Sequence, residues 1–163
     1  VQYKSLLAYY HQLCEAVGPL PPPRVVNVDH GRQRFLLFTL PAKRAVGTCS
    51  TPAFAWIDSP GSGAGVGGQL QVTGWAFKDG EGLSKVEILL DGKVVAKAEY
   101  GQPSPGTEAF WKVSNDPRHP DVGFSASVDL APIQPGRRWL GLRLHGRDGS
   151  VEDWAEQPLQ VAE

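Results

Sequence analysis

Two stretches confine this chain more tightly than any other. Phe124, Ala126, Val128 and Leu130 alternate with Ser125, Ser127 and Asp129, and Leu140, Leu142 and Leu144 alternate with Trp139, Gly141, Arg143 and His145. Side chains on a β-strand point to opposite faces in turn, so a strict period of two describes strands with one dry and one wet face. A helix would scatter the same residues around its circumference. Four further segments from Phe54 onward read as strands, of which Leu70 to Thr73 alternates as cleanly. They are Phe54 to Asp58, Leu70 to Thr73, and the pair Lys85–Leu90 and Val94–Tyr100 on either side of Asp91-Gly92, a strong short-range hairpin signal. After Leu70–Thr73, Trp75 and Phe77 take the opposite parity, which predicts a bulge at Gly74 or burial of both faces.

Asp148-Gly149 turns the chain into a last strand, Val151–Trp154 and Leu159–Val161, with Pro158 expected at an edge or a break. Between the strands, Ser59 to Gly68 reads as a Gly/Ser/Pro loop. Gly101 to Asp121, with four prolines, reads as a long irregular excursion carrying Phe110 and Trp111. Six or seven short strands over this length predict a mainly β fold, an antiparallel sandwich.

The first fifty residues have another texture. Leu6, Tyr10, Leu13, Cys14 and Val17 fall on one face of a helix that Gly18-Pro19 ends. After Pro21-Pro22-Pro23, runs at Val25–Val28 and Phe35–Leu40 flank Asp29-His30-Gly31-Arg32 and predict a β-hairpin turned at Gly31. Helix and hairpin have too little apolar surface to stand alone and need a neighbour to pack on. The expected organisation is therefore an appendage over residues 1–50 and a sandwich over 51–163, joined through Pro41–Pro52. Charge follows the same division: six basic and two acidic residues in 1–50, ten basic and fifteen acidic in 51–163. A net charge of −1 offers no general attraction to nucleic acid. The chain has no Met and starts at Val1, as an excised or matured fragment would.

Ile57-Asp58-Ser59-Pro60, Val72-Thr73-Gly74-Trp75-Ala76, Val86-Glu87-Ile88-Leu89-Leu90-Asp91-Gly92, Tyr100-Gly101-Gln102-Pro103 and Gly123-Phe124-Ser125 resemble the bacterial immunoglobulin-like domains appended to envelope and cell-surface proteins. The resemblance covers about residues 55–161. It implies an immunoglobulin-like sandwich that serves as a spacer, adhesive unit or accessory domain, in a periplasmic or cell-surface setting. A helix and hairpin ahead of such a module resemble the extracytoplasmic C-terminal end of a membrane-anchored protein, such as a lipid-linked-sugar glycosyltransferase.

No nucleophile–base signature, phosphate-binding glycine loop or HExxH is present, so neither catalysis nor a cofactor is expected. Asp116-Pro117-Arg118-His119-Pro120-Asp121 has the oxygen donors for a hard cation but lacks the ligand number and the Gly-assisted turn of a calcium loop, and it reads as a solvated loop with Asp caps. Asp79-Gly80-Glu81-Gly82 reads as a turn. His11, His30 and His145 have no acid or nucleophile at motif spacing, and no metal site is expected. Cys14 and Cys49 form a disulfide if the compartment is oxidising, and are otherwise free thiols.

Five tryptophans exceed what a small sandwich core needs. Trp75, mid-strand, is expected in the core. Trp111 in the long loop, Trp139 on the wetter face of its strand, and Trp154 are the candidate binding rings. They have two roles open to them: stacking on sugars or filling a partner's pocket, or covering the appendage. The leading functional reading is a non-catalytic accessory module that contacts protein or glycan. The alternative is a carbohydrate-binding module built on those exposed rings.

Overall fold

The structure, a computed structural model, describes residues 2–20, 24–30, 33–40, 42–43 and 51–162. Pro21 to Pro23, Gly31, Arg32, most of the Pro41–Pro52 connector and Cys49 lie outside the described residues. Helix α1 (Gln2–Val17) comes first, then a hairpin of β1 (Arg24–Val28) and β2 (Gln33–Leu37). Asp29 and His30, with φ of 51° and 52°, take the left-handed conformation at the hairpin's turn, so the reversal begins before Gly31.

The remainder is an antiparallel immunoglobulin-like sandwich. One sheet holds β3 (Ala53–Ser59), β5 (Gln69–Lys78), β9 (Gly123–Asp129) and β8 (Glu99–Gln102) in the order β3-β5-β9-β8. The other runs β4-β11-β10-β6-β7, with β4 (Gly65–Val66), β11 (Val151–Val161), β10 (Gly136–Gly146), β6 (Leu83–Leu90) and β7 (Lys93–Lys97). Short β4 lies parallel on the end of β11, so the chain leaving β3 switches sheets within the Ser59–Gly68 loop. Disregarding β4 and β7, the first, second, fifth and fourth strands form one layer and the third, sixth and seventh the other, which is the immunoglobulin order.

The alternation does its expected work between the layers. Ala53, Ala55 and Ile57 of β3, Leu70, Val72 and Ala76 of β5 and Phe124, Ala126 and Val128 of β9 face Val86, Ile88, Leu140, Leu142 and Leu144 across a single core. There is no bulge at Gly74. β5 pairs with β9 in unbroken register from Gln69 to Trp75, and the irregularity lies in β3, between Ile57 and Ser59. Trp75 and Phe77 keep the parity of Gln71 and Thr73, because the outer face of this sheet is itself covered at one end. There Leu7 and Tyr10 of α1, Phe54, Phe77, Trp111 and Val122 form a second buried cluster, with Leu36, Phe38, Trp75 and Trp154 at its margin.

Two further expectations are corrected, and the place of Pro158 is decided between its alternatives. Val94–Tyr100 is not one strand: β7 pairs with β6, while β8 pairs with β9 in the opposite sheet, and the chain crosses at buried Ala98. The excursion from Gly101 to Asp121 contains a short helix, α2 (Pro105–Phe110), started by a proline that has no N–H to leave unsatisfied. Of the two places expected for Pro158 the structure shows the edge, because β11 runs through it without a break. The Pro158 carbonyl accepts from Gly63 N at 2.7 Å, which turns the proline nitrogen to that same edge, away from β10, where no ladder bond is lost.

Candidate functional site

The three candidate rings are packing residues to different degrees. Trp111 follows α2 and is only 3% exposed. It packs on Phe54 and Phe77 with ring centroids 5.2 Å away, and edge-on to Trp75 at 6.0 Å. A ring so enclosed has no face to offer a sugar, which corrects its assignment as a surface platform. Trp139 is half-buried and stacks on His30 of the hairpin turn at 3.8 Å with an interplanar angle of 2°, while the Arg137 guanidinium lies 4.8 Å from its centroid. Trp154 is half-buried and meets Phe54 at 6.2 Å between the two cores. Of their two open roles, covering the appendage is the one these contacts fit.

The hairpin follows the free edge of β11. Asn27 Nδ2 donates to Asp153 O at 3.1 Å, Glu156 N donates to His30 O at 3.1 Å, and His30 Nδ1 pairs with Glu156 Oε2 at 3.3 Å. Beneath it opens a cleft of ≈ 680 Å³ lined by Arg24, Asn27, Glu87, Arg143, His145 and Asp153. Apart from Arg24, its charged side chains are committed to neighbours. Arg143 makes a two-pronged contact with Asp153, Nε to Oδ1 at 2.7 Å and Nη2 to Oδ2 at 2.8 Å, which raises the guanidinium pKa. Glu87 receives Lys85 Nζ and His145 Nε2, each at 2.7 Å. These bonds, Lys85's first, hold its carboxyl below the usual range.

A second polar cluster joins α1 to the long loop. Asp79, buried at the end of β5, accepts from Ser114 Oγ at 2.9 Å, from Asn115 N and from His11 Nε2. It is a turn residue, as expected, and also an anchor, because His11 comes from the helix and Ser114 from the loop. His119 Nε2 lies 3.0 Å from Ser114 Oγ, so Asp, Ser and His do converge. Their order is wrong for nucleophilic catalysis. The Ser114 hydroxyl proton goes to Asp79, so His119 Nε2 must donate rather than accept. His119 Nδ1, which a catalytic carboxylate would orient, has no partner among the described residues.

Asp116 is a buried cap: its oxygens take Lys78 N and Arg118 N, both at 2.8 Å. Among the described residues no group of three or more His, Cys, Asp or Glu could hold a metal ion. Lys78, 1% exposed, closes one end of the inter-sheet core: its Nζ lies 3.2 Å from Glu152 Oε2 and 3.7 Å from Asp148 Oδ2, and Glu152 also accepts Ala53 N at 2.9 Å. Cys14 is buried on α1, whereas the expected partner Cys49 lies outside the described residues.

Sequence reasoning passed over Trp56, the one tryptophan whose side chain stands out in solvent, at 57% exposure. Parity could have found it. Ala55 and Ile57 point inward, so Trp56 must share the outer face with Phe54, beyond the reach of the second core.

No protein-family profile matches the chain, and no curated protein matches it. Three solved structures are similar in part. The endo-beta-1,4-mannanase from Thermotoga petrophila matches 69% of this chain at 12% identity and a TM-score of 0.47, and this chain spans 20% of its length. The fibronectin(III)-like modules of Clostridium thermocellum CbhA match 66% of this chain and 94% of their own at 17% identity and 0.44. Domains 4 and 5 of the S-layer protein SbsC match 86% and 66% at 12% identity and 0.36. The sandwich rests on the strand order above, and these likenesses add nothing to it.

Proposed function

We propose that this chain is a non-catalytic immunoglobulin-like accessory module of a bacterial envelope protein, acting by contact with protein or glycan on the extracytoplasmic side. We place it at the C-terminal end of a membrane-anchored parent of the glycosyltransferase kind. The observation that carries the reading is what the reactive side chains do. Asp79, His11, Ser114, Lys78, Glu152, Arg143 and Glu87 are spent on clasps between elements: helix to loop, sheet to sheet, strand to strand. An enzyme of this size needs titratable groups converging on an open site with their working atoms unspent.

The surface offers contacts instead. Phe35, Leu37 and Leu40 stand 50%, 49% and 59% exposed on and just after the hairpin, an apolar strip that suits a protein neighbour better than water. On the same reading Cys14 pairs with Cys49, since an oxidising compartment permits the bridge. Mass spectrometry with and without reductant should show a gain of two hydrogens on reduction, and an unchanged mass rejects the bridge.

Compartment is tested by fusing reporters after residue 163 in the parent gene. Alkaline phosphatase, active only outside the cytoplasm, should be active, and a cytoplasm-dependent reporter silent. The reverse result rejects the proposal.

A further inference from the structure

The outer face of the β3-β5-β9-β8 sheet is only half covered. Past the second core, the outward positions on its two central strands run Trp75, Thr73, Gln71 and Gln69 on β5, beside Gly123, Ser125, Ser127 and Asp129 on β9. Trp56 of β3 stands directly opposite Trp75, and Gln102 of β8 opposite Gly123. An exposed indole and a half-buried one thus sit at the head of a strip of amides and hydroxyls about 20 Å long, from the strand rise of about 3.4 Å per residue.

The strip is internally braced. Gln71 Nε2 donates to Ser127 Oγ at 3.0 Å, Ser127 Oγ donates to Gln69 Oε1 at 3.0 Å, and Gln102 Nε2 donates to Ser125 Oγ at 2.6 Å. These bonds fix the side chains in place and leave the second lone pair or proton of each group turned to solvent. The outward positions carry no Lys or Arg. Among the described residues the charged side chains on these positions are Asp58, Glu99 and Asp129, all acidic, while the Arg118 guanidinium reaches the strip's edge at Gly101 of β8.

We propose that this face binds a neutral polysaccharide, with Trp56 as the stacking platform and the Gln71, Thr73, Ser125 and Ser127 row as its hydrogen-bonding partner. A pyranose ring presents an apolar C–H face and a rim of hydroxyls, which a flat indole beside a row of amides and hydroxyls complements. Three carboxylates, Asp58, Glu99 and Asp129, against a single guanidinium at the strip's edge, Arg118, disfavour anionic polymers such as nucleic acid, phosphate-rich glycans or uronates, and so favour uncharged chains. A protein partner would be expected on the hairpin strip, where Phe35, Leu37 and Leu40 have apolar neighbours, and not on this polar face. The assignment deepens the module reading by naming the glycan it would contact. It does not depend on which parent carries the module.

Affinity electrophoresis of the whole chain in native gels containing soluble glucomannan, arabinoxylan or mixed-linkage β-glucan tests it, with polygalacturonate as the anionic control. Retardation by at least one neutral polymer and none by polygalacturonate is expected. Trp56→Ala should weaken it roughly ten-fold, the loss of one stacking contact of about 1.4 kcal/mol, with Trp56→Phe intermediate and Trp139→Ala unchanged. Unaltered circular dichroism of Trp56→Ala would show the loss is local. No retardation by any neutral polymer, equal retardation of Trp56→Ala, or stronger retardation by polygalacturonate overturns the proposal. So does quenching of Trp56 by brominated phosphatidylglycerol vesicles without glycan binding, which would assign the ring to a membrane surface. The reporter fusions above are read independently of all these outcomes.

Discussion

Replacing Trp111 by alanine separates a packing ring from a binding ring. The indole is buried in the second core against Phe54, Phe77, Trp75 and Phe110. Truncating a buried Trp to Ala forfeits its transfer free energy and leaves a cavity, typically about 3–5 kcal/mol together. A domain of this size loses about 2–4 °C of melting temperature per kcal/mol, so the midpoint should fall by about 6–20 °C. That is a large share of a total stability of about 5–15 kcal/mol. Urea denaturation at 25 °C followed by circular dichroism gives the free energy directly, and calorimetry gives the midpoint. Trp56→Ala serves as the comparison and should stay within about 0.5 kcal/mol of the parent, as exposed substitutions do. A Trp111→Ala protein within 1 kcal/mol of the parent would refute the second core, and with it the account of why Trp75 and Phe77 turn outward.

Gly74→Ala should destabilise by about 1–3 kcal/mol, since a Cβ there would lie 2.1 Å from the Trp56 carbonyl oxygen and 2.8 Å from the Phe124 ring, forcing backbone to move; chemical denaturation measures it. Glu152→Gln, which weakens the pairing of buried Lys78, should cost on the order of 3 kcal/mol, and the Lys78→Met, Glu152→Leu double variant should recover most of it. Glu87 titrates below the ordinary carboxylate value of 4.5, so its contribution is complete above that pH and is lost as pH falls through the folded-state value. The pair is close to solvent, so the loss should stay under about 1 kcal/mol, and Glu87→Gln should remove that part of the acid limb of a stability–pH curve.

The sandwich was readable wherever a strand has one wet face. Phe124–Leu130 and Leu140–Leu144 declare themselves through period two, and Asp91-Gly92 through the φ of 49° and 76° that its tight turn needs. The split at Ala98 was not readable, because Val94–Tyr100 is apolar enough to pack in either sheet and the crossing leaves no mark in composition. The choice between the two roles open to Trp111 was unreadable for a related reason: no periodicity within a loop says that a ring from it will be buried with residues of a distant helix. The polar clasps were hidden by distance along the chain. His11 and Asp79 stand 68 positions apart, and Glu87 and His145 stand 58 apart, so only the folded topology brings them within bonding reach. Trp56 lies within reach of the parity argument, since Ala55 and Ile57 on either side of it are the inward positions of β3.

The central structural claim is that the N-terminal helix and hairpin complete the sandwich by covering one end of the outer face of the β3-β5-β9-β8 sheet, with the hairpin running on along β11. Removing residues 1–50 tests it most directly. Leu7 and Tyr10 alone should contribute about 1.5–3 kcal/mol each through burial, so the 51–163 fragment should melt well below the whole chain and bind a hydrophobic dye at exposed Phe54, Phe77 and Trp111. A fragment with the parent's melting temperature and no dye binding would contradict the claim.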